Sequence, residues 1–124
     1  MGDGLIRTQW CHGAPGVVAT LAPFIDEAPA VAGGELTCLA VPLRKGAGLC
    51  QGTAGNGCAF LSLLERTGDD RWLERARAFA MREVGQVEQA RAAAGGRHTL
   101  WTGDLWPALY LADCVDGSGG LPLP

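Results

Sequence analysis

The sequence predicts an all-α protein built from stacked helical hairpins. Apolar residues recur at helical spacing, and the alternating pattern of half-buried strands is absent. Glycine accounts for 19 of the 124 residues, about twice its ordinary usage, and it clusters at three turns. Hydrophobic residues make up 48% of the chain, enough for a packed core. We expect one helical domain over residues 1–124, with an irregular tail over residues 116–124.

The three glycine-rich turns can be aligned with one another. They are WCHGAPG from residue 10, LCQGTAG from residue 49 and LWTGDLW from residue 100. Their shared glycines, Gly13, Gly52 and Gly103, lie 39 and 51 residues apart. A period of ~40–50 residues with one such turn in each unit is typical of helical-pair repeats or propeller blades. The helical spacing after the turns favours helical pairs.

Each turn is expected to open onto a short helix that is almost free of charge. The first begins near Pro15, since proline suits the first turn of a helix. The second begins near Thr53 and stops at Gly68, which is a typical residue after a helix C-terminus. The third begins near Asp104. Because these helices are rich in small residues, we expect them to pack closely as inner helices.

Longer, charged helices near residues 30–44 and 70–95 are expected to alternate with the short ones and to lie outside them. Pro42 is expected to kink the helix near residues 30–44 or to end it early. Asp69 and Asp70 can cap the helix near residues 70–95. The predicted core stripe of the second contains Trp72, Leu73, Ala76, Phe79, Ala80, Val84 and Val87. Its predicted solvated face contains Arg71, Glu74, Arg75, Arg77, Arg82 and Glu83.

Charge and hydropathy disfavour several classes of function. Ten basic and 13 acidic residues give a formal net charge of −3, which provides no basic surface for nucleic acid or an anionic membrane. No run of ~18 apolar residues is present to span a bilayer. The segment after Met1 has neither the basic nor the apolar region of a signal peptide. We therefore expect a soluble cytoplasmic protein.

The five cysteines are an odd number and are expected to be reduced thiols. Cys38, Cys58 and Cys114 lie in apolar segments and are interpreted as small buried hydrophobes. Cys11 and Cys50 each lie two residues before the shared glycine, on a turn that opens onto a helix N-terminus, where a thiolate is stabilised. They could form half of a zinc site. Two unrelated thiols remain the alternative, because the spacing matches no short zinc motif; a redox role is disfavoured by the lack of a Cys-x-x-Cys pair.

The turns resemble those of the lanthionine synthetase C-like (LanC-like) family. The resemblance is carried by QWCHGAPG from residue 9 and GLCQGTAGNG from residue 48, and LWTGD from residue 100 with ALYLAD from residue 108 resembles the family's last repeat. It implies part of an α/α toroid, a double ring of helices, of which this chain would hold the C-terminal repeats as an incomplete ring. The implied activity is zinc-dependent addition of a thiol to dehydroalanine or dehydrobutyrine, which forms a lanthipeptide thioether or a glutathione adduct.

The resemblance also implies which residues would bind zinc. Cys11 and Cys50 match two family ligands, whereas Gln51 stands where the family has histidine. An amide oxygen is a weak zinc ligand, so we expect a weakened metal site. His12 is the candidate for proton transfer, with packing or positioning as its alternative role. Trp106 occupies the family's usual glycine column in the last repeat, where its indole is expected to alter the approach of the turn to its helix.

The resemblance covers only part of a family member, since those proteins run to several hundred residues. A partial array of repeats exposes interior surface at its open edge, so we expect a complementing chain or self-association. Two functions remain open. One is a fragment of a LanC-like catalyst whose substrate is a thiol-bearing peptide or glutathione; the other is a non-catalytic helical-repeat interaction module with a degenerate metal site.

Overall fold

The computed structural model describes residues 8, 10, 13–39, 53–93 and 105–118. These residues form five helices: α1 (Ala14–Leu21), α2 (Glu27–Leu39), α3 (Thr53–Thr67), α4 (Arg71–Ala92) and α5 (Leu105–Asp116). They contain no strand, which confirms the all-α prediction. Within the same ranges, no helix combines the length and apolar character needed to cross a membrane. The predicted irregular tail is described only to residue 118, and Asp116 still belongs to α5.

The ends of several helices lie where the sequence predicted them. Pro15 occupies the first turn of α1. Gly68 follows α3 with a φ of +68°, in the left-handed conformation that glycine adopts readily. Asp70 is the N-cap residue of α4, but it is Asp69 whose side chain accepts a backbone N–H from the first turn, at 3.0 Å. Pro42 lies outside the described residues.

α3 and α4 form an antiparallel hairpin. Phe60 in α3 contacts Phe79 edge-on, with ring centroids 4.9 Å apart, and stacks at 6.0 Å with Trp72. At the start of α3, Thr53 contacts Gln86, which lies further along α4 than either ring. Positions that come earlier in α3 therefore meet positions that come later in α4.

α1 and α3 run in the same direction. Near the end of α1, Ala19 accepts a hydrogen bond from Ser62 Oγ at 3.1 Å. Before α1 begins, Thr8 accepts one from Asn56 Nδ2 at 2.7 Å. Both donors belong to α3, and the earlier donor, Asn56, bonds the earlier acceptor, Thr8. The N-termini of α1 and α3 consequently lie at the same end of the pair.

α2 packs closely against its neighbours. Gly34 is buried, and a Cβ at this position would overlap the Leu63 side chain, so glycine permits the close approach of α2 to α3. Glu35 forms ion pairs with two arginines of α4, Arg71 at 3.5 Å and Arg75 at 2.9 Å. Exposed pairs of this kind contribute ~0.2–1 kcal/mol each, so apolar packing supplies most of the stability of this interface.

α3 is the central helix of the described residues, because every residue from Thr53 to Leu63 is buried. This confirms its prediction as an inner helix. The predicted stripe of α4 is also confirmed. Its buried members are Trp72, Ala76, Phe79 and Ala80, and its half-buried members are Leu73, Val84 and Val87.

The predicted solvated face of α4 is wrong at one position. Arg71, Glu74, Arg77 and Arg82 are exposed and Arg75 is half-buried. Glu83, in contrast, has no exposed surface. It lies four residues after Phe79, and residues four apart share one side of a helix. Its position therefore belongs to the core stripe, although its residue type suggested solvent.

α5 packs across α3 and α4. The Tyr110 hydroxyl donates a hydrogen bond to the carbonyl oxygen of Ala76 in α4. On α3, a Cβ at Gly57 would overlap the Tyr110 ring, so glycine lets the two helices meet. Trp106, expected to alter the approach of the third turn, is buried against Cys58. The turn itself, residues 100–104, lies outside the described part of the chain.

Candidate functional site

Four predicted site residues lie outside the described part of the chain: Cys11, His12, Cys50 and Gln51. The structure describes the helices that follow them. Cys11 and Cys50 each lie three residues before the first residue of a helix, α1 and α3 respectively. A chain advances at most ~3.6 Å per residue, so each cysteine lies within roughly 11 Å of the start of its helix. Because α1 and α3 are parallel, both starts lie at the same end of the pair.

The two helix starts favour negative charge. Unpaired N–H groups and the helix dipole place positive partial charge at a helix N-terminus. Neither α1 nor α3 carries an acidic residue in its first turn, so no carboxylate side chain there neutralises that charge. A thiolate close to such an end is stabilised relative to the thiol. Both helix starts therefore favour an anionic group over a neutral one.

The backbone of Trp10 lies close against the start of α1. Gly16, in the first helical turn of α1, is buried, and a Cβ there would overlap the carbonyl oxygen of Trp10. Only glycine permits this approach. The Trp10 side chain is half-buried and packs against the core.

Two buried polar side chains hold the start of α3. The Thr53 hydroxyl donates to Gln86 Oε1 on α4 at 2.6 Å. Asn56 Nδ2 donates to the carbonyl oxygen of Thr8, ahead of α1, at 2.7 Å. Thr53 and Asn56 have no exposed surface. Sequence reasoning missed Asn56 and Gln86, although one signal was present: Asn56 is the lone amide among the small and apolar residues that follow the second turn.

Of the other three cysteines, two are buried as predicted. Cys58 and Cys114 are buried, and burial raises the pKa of Cys58 to about 12 and that of Cys114 to about 11. Both are therefore protonated at neutral pH, which confirms them as small hydrophobes. Cys38 on α2 is half-buried. Across the described ranges, no three His, Cys, Asp or Glu side chains are grouped so that they could hold a metal ion.

Glu83 is the most perturbed carboxyl group of the described residues. Both of its oxygens are buried and have no hydrogen-bond partner in that part of the chain. Burial raises the pKa of Glu83 to about 9, so the side chain holds its proton at neutral pH. Its electrostatic influence extends to Cys58 on α3 and to Tyr110 and Cys114 on α5. Glu83 therefore belongs to the interior between the three helices.

An open groove of about 440 Å³ follows α1 from the end that bears the first turn. Its lining residues are Trp10, Gly13, Gly16, Val17, Thr20 and Leu21. Val17 and Leu21 are 49% and 43% exposed, and Phe24 just beyond α1 is 82% exposed. The described part of the molecule thus presents an uncovered apolar surface beside α1.

Comparison with known families decides which family this architecture represents. The family model for lanthionine synthetase C-like protein matches residues 2–99. The chain belongs to the lanthionine synthetase C-like family. The matched range of this LanC-like chain includes the turns of Cys11 and Cys50 and helices α1 to α4. It ends before α5, so the resemblance of residues 100–113 to the family's last repeat stays a prediction.

Two curated relatives show how much of a longer protein this LanC-like chain represents. It is 42% identical over 80 residues to the LanC-like protein GCL1 of Arabidopsis thaliana, a match that covers 58% of this chain and 18% of the relative. It is 39% identical over 84 residues to the glutathione S-transferase LANCL1 of Danio rerio, with 60% and 20% covered. The chain spans about a fifth of the length of these relatives.

Proposed function

We propose that this chain supplies the zinc-binding part of a LanC-like catalyst, with Cys11 and Cys50 as thiolate ligands and Gln51 in a weak third position. The parallel alignment of α1 and α3 carries the proposal, because these helices begin three residues after the two cysteines. The acid-free first turns add support. The donor set suits zinc, which binds thiolates strongly. A zinc ion bound there would hold an incoming thiol in its thiolate form.

The proposed reaction is the addition of a thiol to dehydroalanine or dehydrobutyrine. A sulfur–carbon bond forms at the β carbon while the thiol proton is transferred to the α carbon, so the reaction needs no oxidant or reductant. His12, next to Cys11 in the chain, is the candidate that moves this proton. The thiol belongs either to a peptide cysteine or to glutathione. The name of the Danio rerio relative, a glutathione S-transferase, supports glutathione.

The zinc content of the purified chain tests the proposal. We expect about one zinc ion per chain, because the two cysteine thiolates are strong zinc ligands even where the third ligand is weak. Cys11→Ala and Cys50→Ala should each weaken zinc binding so far that the purified variants contain no zinc. The half-buried Cys38 on α2 provides the matched control, and Cys38→Ala should retain the metal. A wild type that purifies without zinc, and in which added zinc does not protect Cys11 and Cys50 from alkylation, would contradict the proposal and favour a non-catalytic interaction module.

A second variant tests the weak third ligand. Gln51→His replaces an amide oxygen by imidazole, which zinc prefers. We expect the zinc affinity to rise by at least about tenfold, measured by competition with a chromophoric chelator. An unchanged affinity would mean that position 51 does not bind the metal. Mass spectrometry of a dehydroalanine peptide incubated with glutathione and the zinc-loaded chain then tests adduct formation directly.

A further inference from the structure

Asn56 connects α3 to the segment that leads into the first glycine-rich turn through one part-buried hydrogen bond. Its Nδ2 donates to the carbonyl oxygen of Thr8 at 2.7 Å, and its side chain has no exposed surface. Thr8 lies three residues before Cys11, and Asn56 lies six residues after Cys50. The bond therefore joins the segment that precedes the first glycine-rich turn to α3, the helix that follows the second glycine-rich turn.

The segment that contains Thr8 depends on contacts of this kind for its position. Thr8 belongs to no helix, and two residues later the Trp10 carbonyl lies directly against Gly16 of α1. Three residues of extended chain reach at most roughly 11 Å, so fixing Thr8 limits where Cys11 can lie. Because Asn56 belongs to α3, its bond to Thr8 restricts the position of Cys11 with respect to α3.

Asn56 also has hydrogen-bonding capacity that the described residues leave unused. Its Oδ1 is buried and has no partner among them. A buried acceptor without a partner is destabilising, so the hydrogen bond from Nδ2 to Thr8 is the polar contact that holds this side chain.

Ser62 shows what the same kind of bond does away from the turns. It is buried in α3 and donates to the carbonyl oxygen of Ala19 at 3.1 Å, so it also joins α3 to the α1 side. It lies six residues beyond Asn56, about 9 Å further along the helix. Ser62 thus contributes to helix packing at a distance from both candidate turns and provides a matched comparison.

We propose that Asn56 is a positioning residue that sets the separation of Cys11 and Cys50 without binding metal or substrate itself. The inference rests on the proposed function, because spacing matters to a shared metal site. The separation of the two thiols is nevertheless a property of the metal-free chain. It can be measured whether or not zinc binds.

The experiment measures how readily Cys11 and Cys50 form a disulfide in the metal-free chain. The wild type and the Asn56→Ala, Asn56→Asp and Ser62→Ala variants are equilibrated with reduced and oxidised glutathione in the presence of a chelator. Acid quenching and peptide mass spectrometry then give the fraction of the Cys11–Cys50 disulfide, and circular dichroism checks that each chain is helical. Asn56→Asp keeps the side-chain size but replaces the NH₂ donor by oxygen, so it separates the lost hydrogen bond from lost volume.

We expect the equilibrium constant for the Cys11–Cys50 disulfide to fall about tenfold or more in both Asn56 variants. Ser62→Ala should stay within about threefold of the wild type, because the bond it removes is remote from the turns. Equal constants in all four chains would overturn the inference. A wild type that forms no such disulfide would also overturn it, since the two turns would then not be held together.

Zinc affinity, measured on the same variants, separates this inference from the proposed function. If the wild type binds no zinc, and the Cys11–Cys50 disulfide is lost only in the Asn56 variants, the result supports the inference and contradicts the proposed function. A chain that binds zinc equally well before and after Asn56→Ala would retain the proposed function and overturn the inference.

Discussion

Trp106 on α5 donates its indole N–H to Sγ of Cys58 on α3, with the two atoms 3.3 Å apart. Both side chains are buried, so this bond joins two helices inside the core. The indole that was expected to disturb the third turn is accommodated in the interface between α3 and α5. The same contact lowers the pKa of Cys58, but desolvation outweighs it and leaves the thiol protonated.

The contribution of Trp106 to stability can be measured by urea unfolding. Trp106→Gly should lower the free energy of unfolding by ~3–5 kcal/mol, because it leaves a large cavity between the two helices. Trp106→Phe keeps most of the apolar volume and loses the N–H donor, so its cost should be nearer ~1 kcal/mol. Equal losses in the two variants would show that apolar volume does not dominate the contact.

Glu83 predicts a stability that falls as the pH rises. Its folded-state pKa is raised by burial to about 9, from an ordinary value of 4.5. Between these values the folded state holds a proton that the unfolded state has released. The free energy of unfolding should therefore decrease through that window, by up to ~1.4 kcal/mol per pH unit. In the folded state, burial raises the pKa values of Cys58 and Cys114 above the window, so both thiols remain neutral within it.

Glu83→Gln tests this dependence because glutamine does not ionise. Urea unfolding of the wild type should give a free energy on the order of 2–4 kcal/mol lower at pH 8.5 than at pH 5.5, and the difference should shrink strongly in Glu83→Gln. Glu74 is exposed on the same helix, so Glu74→Gln should leave the wild-type dependence in place. A wild type whose stability rises over that range would refute the account of Glu83.

Four of the five cysteines should fall into two reactivity classes in the metal-free chain. Cys58 and Cys114 are buried with raised pKa values, so iodoacetamide at neutral pH should label them only after unfolding. Cys11 and Cys50 should be labelled in the folded chain and protected by zinc. Peptide mass spectrometry over time distinguishes the classes. Rapid labelling of Cys58 in the folded chain would contradict the buried interface around Trp106.

The uncovered surface beside α1 predicts self-association. Val17 and Leu21 line the groove and are about half exposed, and Phe24 is 82% exposed. Contiguous exposed apolar surface favours association. Sedimentation should show concentration-dependent oligomers that the double variant Val17→Glu/Leu21→Glu weakens. Leu39→Glu, at a 77% exposed position outside the groove, is the control. A wild type that stays monomeric over the whole concentration range would contradict the prediction.

The helical framework could be predicted because its signals are local. Pro15 suits a first turn and Gly68 suits a left-handed stop, and each acts on the few residues around it. The 39-residue offset between the first two turns likewise indicated a hairpin repeat. These features do not depend on which distant residue packs against them, so one sequence is enough to recognise them.

Polar residues in the core could not be placed from residue type alone. Glu83 has the spacing of the core stripe, but its charge suggested solvent, and only the packing of α3 and α5 around it shows that it is buried. Asn56 and Gln86 depend on partners 48 and 33 residues away. Such contacts become visible only when the relative position of three helices is known.

X-ray absorption at the zinc edge tests most directly whether Cys11 and Cys50 share one metal ion. We expect two sulfur ligands at ~2.3 Å in the wild type. Cys11→Ala and Cys50→Ala, examined at zinc concentrations high enough to load them, should each retain one. A wild-type spectrum without sulfur ligands, or a sulfur count that either substitution leaves unchanged, would contradict the shared site.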